Sequence, residues 1–178
     1  IDGHGEVETC VLGSFDGKKI NKRLSVSYPH SVGLLYGTFT DFLGFKPDND
    51  EWKTMALASY STKKNSFDEK MVKLYKLTND GFELDLSYFD YYLFDKQKNF
   101  YNHKLISLFG EPRKKDSLIT QRHYQIAGAL QRAFTKIFFH LIKITKKNGN
   151  KSNNIVIAGG AAMNCVFNGL LENKKIYK

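Results

Sequence analysis

NIVIAGGAAMNCVFNG, residues 154–169, combines a strand-like run, a turn of small residues and the beginning of a helix. Residues 155–157 are β-branched and apolar, which predicts a short buried strand. Residues 158–162 carry almost no side-chain bulk, so a ligand could approach their backbone closely. A helix predicted over 163–171 would offer the free N–H groups of its first turn to an anion or a nucleotide. A tight packing turn would explain the same pattern.

The composition is typical of a folded protein, with 178 residues, 42% hydrophobic and 14% aromatic. No window approaches the length of a membrane span, so we expect no membrane partner. The glycine-rich opening, residues 1–5, has no initiator Met and suggests a piece of a longer protein. The net charge of +9 comes from scattered lysines, which we interpret as solvated surface rather than a nucleic-acid site.

Two cysteines, Cys10 and Cys165, are too few for a disulfide framework. They indicate a reducing compartment, and we therefore expect a cytoplasmic protein. Cys165 has no evident activating partner, so we interpret it as a packing residue rather than as a nucleophile.

The first part of the chain predicts a β-hairpin and then a helix. Apolar and polar residues alternate on both sides of Asp16-Gly17, a strong hairpin signal. Asp2 lies at the mouth of this hairpin, where a carboxylate could hold a metal, orient a ligand hydroxyl or serve an ordinary turn. Ser31 is a candidate N-cap of the next helix. Gly33, in the first turn of that helix, suggests close packing or a ligand against the backbone.

The middle of the chain is less clearly patterned. We expect helices over 52–58 and 67–77, a strand over 81–86 and a turn within 105–115. Lys53 could reach a phosphate or an acyl group, although a surface lysine is the commoner explanation. Arg113 in the turn is a candidate anion contact. Residues 120–147 have apolar positions at helical spacing and predict a long core helix, followed by a polar linker over 148–154.

The sequence contains no P-loop, no GxGxxG after a strand, no HExxH, no paired CxxC and no GxSxG. What it contains is an ordered series of other motifs: DGHGE (2–6), PHSVGLLYGTFTDFLGFKPDNDEWKTMALASY (29–60), LFGEPR (108–113), RHYQIAGALQ (122–131) and IAGGAAMNCVFNG (157–169). In this order they closely resemble the carbamoyltransferases that tailor nodulation factors and antibiotics.

The resemblance implies a fold and a reaction. The fold is α/β, an actin-like and sugar-kinase-like (ASKHA) duplicated core related to the tRNA threonylcarbamoyl-transfer protein, with residues 1–178 as a central segment. The reaction passes a carbamoyl group from carbamoyl-adenylate, made from ATP and carbamoyl phosphate in a separate domain, to a hydroxyl of a small-molecule acceptor. Such a site requires no Ser or Cys nucleophile, because carbamoyl-adenylate is already activated.

The same resemblance assigns site residues. Asp2 would face a divalent metal and the carbamoyl-adenylate, and Gly3 belongs to the same DGxG motif. Gly33 would place its backbone near the ligand. The remaining cofactor-binding residues would be Gly159, Gly160 and Asn164, which match the GGxAxN motif around the adenosine.

Several expected parts of the site lie outside residues 1–178. The metal, expected to be iron, would be completed by a pair of histidines before Asp2 and an aspartate after Leu171. The adenylate-forming domain would be a partner within the same protein. Tyr60-Ser61 stands where the family has YG. Two alternatives remain: an RNA-binding module related to tRNA modification, supported by the charge, and an actin-like phosphotransferase.

Overall fold

The computed structural model describes residues 1–96, 98–147 and 152–174, which form α-helices and two small sheets. The strands are β1 (Glu8–Phe15), β2 (Ile20–Ser27), β3 (Tyr75–Thr78) and β4 (Gly81–Leu84). The helices are α1 (Val32–Phe42), α2 (Glu51–Ala58), α3 (Ser66–Val72), α4 (His103–Phe109), α5 (Gln121–Lys147) and α6 (Cys165–Asn173). Short 3-10 turns cover Leu86–Tyr88, Tyr91–Lys96 and Gly160–Met163.

The predicted N-terminal hairpin is confirmed. Strands β1 and β2 pair antiparallel, and Phe15 lies opposite Ile20 at the turn. The Asp16 carboxylate stabilises this turn because its Oδ1 accepts hydrogen bonds from the backbone N–H groups of Lys18 and Lys19, both at 3.0 Å. The hairpin is therefore stabilised by local hydrogen bonds in its turn. Its first strand is the element to which the preceding segment binds.

One compact unit of the chain contains the hairpin, Leu77–Glu83 and the described part of residues 135–178. Its core includes side chains of β1 and β2 together with the second half of α5. Phe167 of α6 is fully buried, and its ring centroid lies 4.6 Å from that of Phe138 in α5. His140 places Nε2 2.8 Å from the carbonyl oxygen of Thr78. These contacts fasten α6 and the β3–β4 turn to the long helix.

The other compact unit comprises Leu34–Lys76 and Leu84–Phe134, and its core is aromatic. Phe39 and Phe109 meet edge to face with centroids 5.0 Å apart. The Arg113 guanidinium donates to the carbonyl oxygens of Leu43 at 2.9 Å and of Ser117 at 2.7 and 3.0 Å. The predicted anion contact is thus a structural clamp, which ties the turn after α4 to the end of α1.

The sequence pattern predicted some elements incorrectly. Residues 155–157 form no strand: they have no ladder partner among the described residues, and Val156 is 92% exposed. The predicted helix over 67–77 ends at Val72, because the chain turns there into β3. Helix α4 was not expected within its loop. The predicted linker over 148–154 lies partly outside the described residues.

The α/β class is confirmed, and the long helix predicted over 120–147 is present as α5. Two-stranded sheets do not specify a duplicated actin-like core, so that finer assignment stays a prediction. Among the described helices, none has the length and apolar character needed to cross a membrane.

An ion pair joins α5 to the beginning of α3. The Arg132 guanidinium donates to both carboxylate oxygens of Asp68, at 2.6 and 2.8 Å, and also to the Ser61 carbonyl oxygen at 2.6 Å. Asp68 in turn accepts from the backbone N–H of Asn65, completing a capping box. Burial raises the pKa of Asp68, but the hydrogen bonds from Arg132 and Asn65 outweigh it, so the pKa is lowered.

We predict that Arg132→Met lowers the free energy of unfolding by about 2 kcal/mol at pH 7, because charge-assisted bonds to a part-buried carboxylate are lost. The lowered pKa of Asp68 means that this contribution is present above the unfolded pKa of Asp, about 3.9, and fades as pH falls through the lower folded pKa. Urea unfolding at several pH values measures it. Lys136→Met, at an exposed position on α5, is the control; equal losses in both variants would contradict the prediction.

Candidate functional site

The glycine-rich opening segment is held between β1 and the segment before residues 159–160. The backbone N–H of Asp2 donates to the carbonyl oxygen of Thr9 at 2.9 Å. The backbone nitrogen of Ile1 donates to the carbonyl oxygen of Ala158 at 2.6 Å. The donors of these two bonds are on consecutive residues, and the bond from Ile1 joins parts of the sequence that are 157 positions apart. The two glycine-containing motifs therefore form one site.

The Asp2 carboxylate bridges the two motifs. Its Oδ1 accepts from the backbone N–H of Gly3 at 2.8 Å and from that of Gly160 at 3.3 Å. Within residues 1–96, 98–147 and 152–174, no group donates to Oδ2, and the side chain is exposed. One oxygen therefore fixes the carboxylate, while the other can accept a hydrogen bond from a ligand.

Gly33, in the first turn of α1, lies directly against the opening segment. A Cβ atom at this position would be 2.5 Å from the Gly3 Cα and 2.7 Å from the Gly3 nitrogen. No side chain can be accommodated there without moving backbone. The backbone of Gly33 thus supports the Asp2 loop, and its expected place near the ligand stays a prediction.

Gly159 and Gly160 both contact the opening segment. Gly159 has a φ of 101° and a Cβ there would be 2.2 Å from the Ile1 carbonyl oxygen, so only glycine fits. A Cβ on Gly160 would be 3.1 Å from Asp2 Oδ1. Beside Gly3, by contrast, no heavy atom lies within 4 Å of an added Cβ. Open space at the site is therefore next to Gly3.

Asn164 and Asn168 organise the loop that follows the glycines. The Asn164 side chain is buried and its Oδ1 accepts from the Phe167 N–H at 2.9 Å, which makes it the N-cap of α6. Asn168 donates from Nδ2 to the Ala162 carbonyl oxygen at 2.9 Å. Both amides shape residues 160–164. Asn164 caps α6 in this way, and its role with adenosine stays a prediction.

Two hydroxyls that the sequence did not mark for function lie beneath the site. Ser31 Oγ is 2.7 Å from the Gly3 carbonyl oxygen and 3.2 Å from that of Asp2. Thr9 Oγ1 is 2.5 Å from the carbonyl oxygen of His30. The sequence signal for Ser31 was its N-cap pattern before a helix. No local pattern could show that it contacts a segment 28 residues away.

The donor set does not make a metal site by itself. Among the described residues, no three His, Cys, Asp or Glu side chains converge on a common point. Asp2 could supply one carboxylate oxygen to a cation, and every further protein ligand would have to come from elsewhere. The glycine turn and the space beside Gly3 fit the approach of a planar or phosphorylated ligand better, because no side chain obstructs the backbone there.

Other predicted candidates have structural partners or environments that explain them. Lys53 pairs with Asp50 at 2.9 Å and lies over the Trp52 ring, 5.3 Å from its centroid. Burial raises the pKa of the Cys10 thiol to about 11, so it is not a nucleophile at neutral pH. Cys165 is exposed rather than packed, contrary to prediction, because α6 turns its first residues to solvent.

We predict that Gly33→Ala destabilises the protein by about 1–3 kcal/mol, since the added methyl overlaps the backbone of Gly3. Gly37→Ala on the same helix is the matched control: its nearest neighbours are side-chain atoms at 3.6 and 3.7 Å. It should gain up to about 1 kcal/mol, because alanine favours the helix. Thermal unfolding of both variants measures the difference. If the two variants shift the midpoint alike, the close approach of Gly33 and Gly3 does not constrain the fold.

We also predict that Gly159→Ala costs about 2 kcal/mol or more, from the positive φ and from the overlap with Ile1. Gly169→Ala in α6 is the control, since nothing lies within 4 Å of its added methyl. Chemical denaturation reports the free energies. A Gly159→Ala variant as stable as Gly169→Ala would contradict the close contact between Gly159 and the Ile1 carbonyl group.

Comparison with known proteins agrees with these motifs. The family model described as Carbamoyltransferase N-terminus matches residues 1–178. The chain is 36% identical over 180 residues to the uncharacterized protein sll1178 of Synechocystis sp., covering 100% of this chain and 28% of that protein. It is 30% identical over 181 residues to the nodulation protein NolNO of Sinorhizobium fredii, covering 100% and 24%.

A further relative is the nodulation protein NolO of Bradyrhizobium diazoefficiens, 28% identical over 172 residues, with 96% of this chain and 28% of that protein covered. The chain spans about a quarter of the length of these relatives. The family predicted from the ordered motifs is confirmed by the match over all 178 residues. The chain belongs to the carbamoyltransferase N-terminus family.

Proposed function

We propose that this chain is the part of a carbamoyltransferase that binds carbamoyl-adenylate and passes its carbamoyl group to a hydroxyl of a sugar-like or natural-product acceptor. The observation that carries this proposal is the Asp2 carboxylate at the glycine turn, with Oδ1 held by the Gly160 N–H at 3.3 Å. Family membership supports carbamoyl transfer in general. The donor and the acceptor class are the proposed part.

The transfer needs little covalent chemistry from the protein. The acceptor oxygen forms a bond to the carbamoyl carbon, the bond from that carbon to the adenylate phosphate oxygen breaks, AMP leaves and the hydroxyl proton is released. Asp2 Oδ2 is suited to accept a hydrogen bond from the acceptor hydroxyl and so orient it. Positioning of this kind raises the rate without an enzyme nucleophile.

The glycine turn would give the donor access to the protein backbone. Residues 158–160 are exposed, and the space beside Gly3 is open. A planar carbamoyl group or an adenylate could therefore lie against main-chain atoms with no side chain between them. Asn164, by capping α6 through the Phe167 N–H, would keep the loop after the turn in one conformation.

The remaining parts of the activity are assigned to the longer protein. The relatives are about four times as long as this chain. We propose that the carbamoyl-adenylate-forming domain and the further ligands of a divalent metal, iron by resemblance, lie in that additional sequence. When bound, the metal would supply positive charge next to the carbamoyl oxygen. Asp2 is the residue of this chain suited to contact it.

The intact protein should carbamoylate an acceptor when supplied with ATP, carbamoyl phosphate and a panel of sugars and aminoglycosides. We expect Asp2→Asn to lower kcat/KM by at least about 100-fold, because it removes the charge yet keeps an oxygen for the Gly3 and Gly160 N–H groups. Mass spectrometry of the acceptor detects one added carbamoyl group. Glu6→Gln, which removes an exposed carboxylate from the same segment, is the control.

Three results would count against this function. An active Asp2→Asn protein would remove Asp2 from the reaction. Phosphoryl transfer without carbamoylation would favour an actin-like phosphotransferase. RNA binding that weakens steeply with salt, without carbamoylation of any acceptor, would favour the RNA-binding module.

A further inference from the structure

We propose that Ser31 is a positioning residue for Asp2: its buried hydroxyl sets the direction of the backbone N–H that holds the Asp2 carboxylate. The inference rests on the proposed function, because it assumes that Asp2 acts in carbamoyl transfer. Ser31 is not among the predicted site residues.

One peptide plane links Ser31 to the Asp2 carboxylate. The Asp2 carbonyl and the Gly3 N–H belong to the same planar peptide unit, so fixing one fixes the other. Ser31 Oγ is 3.2 Å from the Asp2 carbonyl oxygen, and the Gly3 N–H donates to Asp2 Oδ1 at 2.8 Å. The hydroxyl therefore acts on the carboxylate through a rigid unit.

Ser31 also contacts the next peptide unit. Ser31 Oγ is 2.7 Å from the Gly3 carbonyl oxygen, its shorter contact. A hydroxyl has one proton, so Ser31 shares a single donor between two successive carbonyl groups. Ser31 thus contacts both peptide planes next to the Gly3 Cα, whose rotation no side chain of Gly3 restricts.

The position of Ser31 is itself supported by neighbouring contacts. Ser31 is fully buried, whereas Asp2 is exposed. The residue before it, His30, is fastened by its carbonyl oxygen to Thr9 Oγ1 at 2.5 Å, and Thr9 is also buried. The backbone of Thr9 holds the Asp2 N–H at 2.9 Å. The buried hydroxyls of Thr9 and Ser31 thus support a carboxylate that faces solvent.

The Asp2 carboxylate is held less closely by Gly160 than by Gly3. The bond from the Gly160 N–H to Asp2 Oδ1 is 3.3 Å, longer than the bond from Gly3. The orientation of the carboxylate therefore depends more on the Gly3 N–H, which Ser31 directs. Without the Ser31 hydroxyl, Asp2 should stay in place, but its carboxylate should adopt several orientations.

A double-mutant cycle in the intact protein tests this role, with kcat and KM of carbamoyl transfer measured for the wild type, Ser31→Ala, Asp2→Asn and the double variant. We expect Ser31→Ala to lower kcat about tenfold with the acceptor KM within twofold. In the Asp2→Asn background the same change should lower kcat less than twofold, because the charge that Ser31 positions is already gone.

Two further variants separate hydrogen bonding from packing. Ser31→Cys keeps the shape but has a weak S–H donor, so it should behave like Ser31→Ala. Thr9→Ser keeps a hydroxyl toward His30 and should retain kcat within twofold, whereas Thr9→Val should lose several-fold. Hydrogen exchange of the intact protein should show faster exchange at the Gly3 amide in Ser31→Ala, with α5 amides unchanged.

The outcomes are distinguishable. Full activity of Asp2→Asn would remove the proposed function on which the inference rests. If Asp2→Asn is inactive but Ser31→Ala keeps its kcat, or lowers it equally in both backgrounds, Ser31 does not act through Asp2. Failure of both Ser31→Ala and Ser31→Cys to fold would assign the hydroxyl to stability and likewise overturn the inference.

Discussion

The pair of backbone hydrogen bonds at Ile1 and Asp2 is the constraint on which the site depends. One bond runs to Thr9 in β1 and the other to Ala158 before the glycine turn. Because the donors are on consecutive residues, the opening segment is held from two sides. The bond from Ile1 joins residues 157 positions apart, and the entropic cost of closing a loop grows only slowly with its length. This bond and the packing of α6 on α5 hold the two motifs together.

The opening segment is held in place by close backbone contacts, and glycine residues make these contacts possible. At Gly33 the first turn of α1 touches Gly3 where no methyl group fits, and at Gly159 the chain combines a positive φ with contact to Ile1. Glycine in a helix costs about 1 kcal/mol relative to alanine. At Gly33 this loss of helix stability is offset by the close contact with Gly3. A residue that is unfavourable in a helix is therefore required here by the geometry of the site.

What the sequence predicted well is local. The Asp16-Gly17 turn and the periodicity of α5 depend on neighbouring residues, and both elements formed as expected. The run over 155–157 has the composition of a buried strand but no ladder partner among the described residues, since a strand requires neighbours that composition cannot supply. Ser31 was recognised only as a helix cap, because its contact with Gly3 arises from tertiary structure.

The charge of Asp2 places a condition on any nucleotide at the glycine turn. A phosphate about 4 Å from this carboxylate would be repelled by roughly 4 kcal/mol at the effective dielectric constant of a protein surface. Among the described residues, no lysine or arginine forms an ion pair with Asp2. Transfer from an adenylate therefore requires either a cation contributed from elsewhere or a pose in which the neutral carbamoyl group, and not the phosphate, faces Asp2.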